Sequence, residues 1–174
     1  YFDWSGSTNL ESARVLYPAP ARLKDATGDA IGYKDSVVFP VVLTAADRSK
    51  SIELKLTMEY GICREICVPA EARITLMVPA DGAAVAADLA TAIAKVPREV
   101  AARQPGDPQV REAKAVLTGD KPTLVIEVSF PSGAAGADLY VEAPDGIFVP
   151  LPKRTAKAGG TDVVFEVDLS NGVE

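Results

Sequence analysis

Histidine is absent from this 174-residue chain, and cysteine occurs only twice. The first absence removes the commonest general base, the usual triad partner of a nucleophilic serine and the commonest transition-metal ligand. No apolar run approaches the ~20 residues needed to cross a bilayer as a helix. Cationic residues are also in the minority, 18 Lys and Arg against 24 Asp and Glu, for a net charge of −6. That balance argues against nucleic acid and anionic membrane surfaces as main partners. The small basic cluster Lys153, Arg154 and Lys157 reads as a solvated loop. No glycine loop is followed by the Lys and Ser/Thr of a phosphate site, and no nucleophile elbow organises the serines and carboxylates for hydrolysis. Apolar residues at 48% and charged residues at 24% are an ordinary globular balance, sufficient for a packed core in one large or two small domains. The chain begins at Tyr1 rather than methionine, which suits a processed product with a removed export signal.

What chemistry remains is concentrated in the two cysteines, Cys63 and Cys67, within the run Tyr60, Gly61, Ile62, Cys63, Arg64, Glu65, Ile66, Cys67, Val68, Pro69, Ala70, Glu71. Two thiols at this spacing can close on each other or hold a metal between them. Residues 51–60 alternate strictly, with Ile52, Leu54, Leu56, Met58 and Tyr60 on one face, and residues 73–78 alternate again through Ile74, Leu76 and Val78. The pair is therefore expected at the tip of a hairpin, within reach of a partner. A disulfide closing only five residues stabilises by roughly 2 kcal/mol in the chain-entropy model, little for a chain's only staple. Disulfide exchange is the leading reading, ahead of a purely structural bond.

Elsewhere the pattern is mostly β. Residues 36–43 are β-branched and apolar, with Pro40 marking an edge or bulged strand, and residues 13–16 form a short strand before a break at Tyr17, Pro18, Ala19 and Pro20. From Asp81, an expected N-cap, Val85, Leu89, Ile93 and Val96 recur at helical spacing until Pro97. A polar linker at 103–108 leads to five expected strands at 110–117, 123–130, 137–142, 147–151 and 162–169, with a hairpin turn at Asp145 and Gly146 and a flexible connection at 132–136. The expected architecture is all-β: two immunoglobulin-like β-sandwich modules joined by a short helical connector, with boundaries 1–80, 81–109 and 110–174. The second module ends directly after a strand-like segment, so the native chain is expected to continue.

Tyr33, Lys34, Asp35, Ser36, Val37, Val38, Phe39, Pro40 and Val41, the alternating strand, and then the Tyr60–Glu71 cysteine run resemble the N-terminal domain of the DsbD and ScsB thiol:disulfide interchange proteins. Trp4, Ser5, Gly6 and Ser7 with the 17–20 segment resemble the ScsB-like branch. The resemblance covers roughly residues 1 to 80. It implies an immunoglobulin-like domain in the bacterial periplasm. Such a domain receives electrons from a membrane-embedded thiol reductase domain through a thioredoxin-like partner and passes them to oxidised proteins. By position it implies that Cys67 forms the mixed disulfide and Cys63 resolves it. The better-known branch caps its cysteines with an aromatic loop. Residues 24–32 here contain no aromatic, which leaves two arrangements open: a shield from Ile31 or Tyr33, or an uncovered site.

Supporting roles are expected for Tyr60, packed under the disulfide; Pro69, ending the hairpin tip; Glu71; and Tyr33. Arg64 favours a thiolate while Glu65 and Glu71 oppose it, so near-ordinary thiol pKa values are expected. No cofactor beyond the redox pair is expected. The competing class is a copper(I)-binding, copper-tolerance protein using both thiolates with Met58 as a soft ligand, and the third is a non-catalytic structural module.

Overall fold

The computed structural model describes all residues except 26–27, 65, 82–86, 99–103, 145–146, 148, 156–159 and 171–174. Among the described residues the chain is all-β apart from one short helix, as expected for immunoglobulin-like modules, and every strand pairing is antiparallel. It divides into two compact units, Tyr1–Arg98 and Glu99–Glu174. Among the described residues no helix is long and apolar enough to cross a membrane.

The first unit contains β1 (Phe2–Asp3), β2 (Leu10–Val15), β3 (Ala21–Asp25), β4 (Gly28–Gly32), β5 (Val41–Ala45), β6 (Ile52–Cys63), β7 (Cys67–Val78) and α1 (Ala87–Ile93). Its main sheet has the order β1-β6-β7, and β2-β5 and β3-β4 form two-stranded sheets. Aromatic edges hold β1 to the irregular segments. Phe2 stacks on Trp4 at 6.1 Å and meets Phe39 edge-on at 5.7 Å, and Phe39 in turn contacts Tyr17 and Tyr33 at 5.7 and 5.2 Å. Each such contact contributes roughly 0.5–1.5 kcal/mol beyond area burial. The turn before β6 is closed by Asn9, whose amide donates to the carbonyls of Asp47, Lys50 and Ser51. Asn9 sits at φ 60°, a conformation asparagine tolerates better than most residues. In the same turn, Lys50 and Ser49 hold the Asp47 carboxyl below its ordinary value.

Two expectations shift here. The strand expected at 36–43 begins only at Val41, because the Pro40 ring has no N–H to continue a ladder. The Pro40 carbonyl instead accepts from Leu16 N–H at 2.8 Å. The helix expected from Asp81 is described from Ala87, with Val85 outside the described residues. Its buried residue is Ala92, whereas Ile93 is exposed. The helix end is tied to the 17–20 segment by Ala19 N–H donating to Lys95 C=O at 3.1 Å.

The second unit is one four-stranded sheet, β10-β11-β9-β8, made of β8 (Gln109–Val116), β9 (Thr123–Ser129), β10 (Lys153–Thr155) and β11 (Asp162–Asp168). Val163, Phe165 and Val167 alternate inward along β11, and Val163 and Phe165 sit opposite Val128 and Ile126 of β9. Phe130, Ala134 and Leu139 pack onto this core. The strands expected at 137–142 and 147–151 are not formed in the described residues. Leu139 is used by the core instead, and Pro150 removes a donor that a ladder through the second segment would need. The expected turn at Asp145 and Gly146 lies outside the described residues. Arg154, read as solvated, stands in β10 and donates to the carbonyls of Ala134 and Ala137, pinning that loop. Lys157 lies outside the described residues.

Candidate redox site

Alternation in β6 and β7 continues well past the expected strand ends. The two strands, each of 12 residues, pair without interruption from Ile52 opposite Val78 to Cys63 opposite Cys67. Arg64 N–H donates to Ile66 C=O at 3.2 Å across the tip, where Glu65 lies outside the described residues. The cysteines form a disulfide with S–S 2.02 Å and Cα–Cα 4.0 Å, and both residues are exposed. The hairpin-tip pair inferred from spacing is therefore present as a bond between the last paired residues of the hairpin.

Side chains directly opposite in an antiparallel pair share a face, and successive residues alternate faces. That parity gives the hairpin two distinct surfaces. Cys63 and Cys67 share theirs with Gly61 and Pro69, then with Glu59 and Glu71 one rung further back. Ile62 and Val68, Tyr60 and Ala70, and Met58 and Ala72 occupy the other. Along β6 the apolar face is buried at its base and open at its tip: Ile52 and Leu54 are 5% and 7% exposed, whereas Tyr60 and Ile62 reach 41% and 59%. Along β7 it is open at both ends, with Leu76, opposite Leu54, at 52% and Val68 at 51%. Ile66, at 75%, completes an apolar tip, and with Ile62, Arg64 and Val68 it lines a shallow groove.

The expected supporting residues divide accordingly. Tyr60 lies three residues before Cys63, an odd separation, so the pleat turns its ring to the opposite face and not beneath the disulfide. Met58 falls on that same opposite face, half-buried and paired with Phe2 of β1. Pro69 does not end the hairpin tip. It lies inside β7, opposite Gly61, and β7 is an edge strand, where a residue without N–H is tolerated. Glu71 shares the disulfide face, and its carboxylate meets Arg73 Nε at 2.7 Å on the surface. Tyr33 belongs to the aromatic cluster, where its hydroxyl donates to Pro18 C=O at 2.8 Å and its ring meets Phe39 edge-on. Burial and the neighbouring Tyr17 raise its phenol above the ordinary value. The 24–32 segment forms most of the β3–β4 hairpin, with Ile31 exposed.

The sequence reading passed over Gly61, Ile62, Ile66 and Val68. The signal was present, because the period-two pattern continues through Ile62 on one strand and resumes at Val68 on the other. Among the described residues, no group of three or more His, Cys, Asp or Glu converges as a metal site.

Residues 1–79 match the family described as thiol:disulfide interchange protein DsbD, N-terminal. No curated protein and no solved structure matches the chain. The matched segment ends one residue after β7, so it contains the whole disulfide hairpin and excludes the second unit. Residues 1–79, with an exposed cysteine pair at the end of their longest hairpin, are a domain of the DsbD N-terminal family, and thiol:disulfide interchange is the chemistry that membership brings.

Proposed function

We propose that the first unit exchanges its Cys63–Cys67 disulfide with protein partners in the bacterial periplasm, as a member of the ScsB-like branch. Its reductant is a thioredoxin-like domain fed by a membrane-embedded thiol reductase, and its substrates are oxidised proteins. The observation carrying this reading is that the pair is exposed and joins the last rung of a long hairpin. Eleven paired rungs already define that hairpin before the cysteines are reached, so the bond adds little to its register.

The exchange runs by thiolate attack. A thiolate of the reduced partner attacks Cys67 Sγ. A mixed disulfide forms, the Cys63–Cys67 bond breaks, and Cys63 leaves as a thiolate that takes up a proton. The partner's second thiolate then attacks the mixed disulfide and releases Cys67, which is also protonated. Two electrons and two protons have moved from the partner's dithiol to this domain, and the partner holds the disulfide. With an oxidised substrate the steps run in reverse, and Cys67 attacks first.

In-line attack requires approach along the S–S axis, which crosses from one strand to the other because Cys63 stands opposite Cys67. β1 pairs with β6 only at Thr57 and Met58, so among the described residues both cysteines stand at the tip on strands without an outer neighbour. Cys67 as the exchanging sulfur is the order the family resemblance implies.

The test is trapping. Reduced Cys63→Ala protein mixed with an oxidised thioredoxin-like protein is expected to accumulate a mixed disulfide on a non-reducing gel, while Cys67→Ala protein accumulates far less. No adduct with either variant would overturn the proposal.

A further inference from the structure

Gly61 occupies an interior position of β6, where the lack of a side chain weakens a strand. Neither usual structural reason for a glycine applies to it. Its φ is not positive, and a Cβ added there would meet no atom within 4 Å. The space is open, on the same face as the disulfide and one rung behind it. Opposite stands Pro69, a compact ring, and the next rung back carries Glu59 and Glu71. The result is a low step, with the disulfide in front of it and two carboxylates behind. A strand glycine that packing does not require marks a place where another backbone comes close.

We infer that Gly61 is a specificity-determining residue, whose missing side chain leaves room for the main chain of a protein partner beside its reactive cysteine. This rests on the exchange function proposed above and adds which side of the hairpin the partner covers: the Gly61 and Pro69 face, rather than the apolar Ile62 and Val68 face. A small thiol needs no such room and attacks the sulfur without covering the step. Gly61 accordingly governs protein partners and leaves small reductants unaffected.

The experiment compares Gly61→Ala and Gly61→Val with the unaltered protein in two reactions: reduction of the disulfide by reduced thioredoxin, and reduction by dithiothreitol. Thermal melts of all three check folding. The expected result is a thioredoxin rate about tenfold lower for Gly61→Val and intermediate for Gly61→Ala, as a displaced reacting pair implies. The dithiothreitol rate and the melting temperature should be unchanged, or the latter raised. Equal thioredoxin rates for all three proteins would overturn the inference, as would an equal fall with both reductants. If the unaltered protein reacts with dithiothreitol but not with thioredoxin or other thioredoxin-like proteins, the exchange function falls as well. Exchange by the unaltered protein with no effect of Gly61→Val overturns only the role of Gly61.

Discussion

The two ends of the β6–β7 hairpin carry one alternating pattern and meet different fates. At the base, Ile52 and Leu54 are buried, and β1 pairs along Thr57 and Met58. At the tip, Ile62, Ile66 and Val68 repeat the same apolar character and stand in solvent. Period two specifies which face a side chain takes, and neighbouring elements decide whether that face is covered. Along β6 the base therefore holds the fold and the tip presents chemistry, while on β7 Ile74 and Leu76 are exposed even at the base.

Replacing equivalent residues at the two ends tests this division most strongly. Leu54→Ala removes a buried side chain and is expected to cost about 2–5 kcal/mol. Ile62→Ala at the exposed tip should stay within roughly 0.5 kcal/mol. Denaturant unfolding of both variants measures the contrast, and equal losses would erase it. The disulfide comes next in size. Replacing both cysteines by serine should lower stability by about 2 kcal/mol, the chain-entropy value for so short a loop. A much larger loss would make the bond a staple of the fold.

A loss smaller than that of the disulfide sharpens the picture of the aromatic cluster that anchors β1. Tyr33→Phe removes the hydroxyl donated to Pro18 C=O and should cost about 1 kcal/mol at neutral pH. The phenol is raised above its ordinary value of 10.0, first by burial and then by Tyr17. A group raised in the folded state contributes its stability below the unfolded value and loses it as pH rises through the folded one. Stability curves for the two proteins should therefore converge above pH 10, and parallel curves would show that the hydroxyl does not titrate with unfolding.

The hairpin was legible in the sequence because its two segments alternate cleanly and the cysteines fall between them. Strand parity was equally legible. Tyr60, last of the alternating row that begins at Ile52, was nevertheless expected under a disulfide three residues away, an odd step that puts its ring on the other face. Pro69 was read as a terminator because proline denies a donor, yet an outer strand such as β7 needs none on its open side. In the second unit, apolar content at 137–142 and 147–151 suggested strands. Leu139 serves the core from an irregular loop, and the short β10 at Lys153–Thr155 has too little apolar pattern to be recognised alone. The engagement of Tyr33 with Phe39 and Pro18 depends on contacts across the unit, which no local spacing reports.

The reduction potential of the Cys63–Cys67 pair, measured by equilibration in defined thiol buffers, tests the central claim most directly. An exchange disulfide is expected near about −200 to −250 mV, in the range of proteins that hand electrons on. A value below about −300 mV would mark a resistant structural bond and contradict the account.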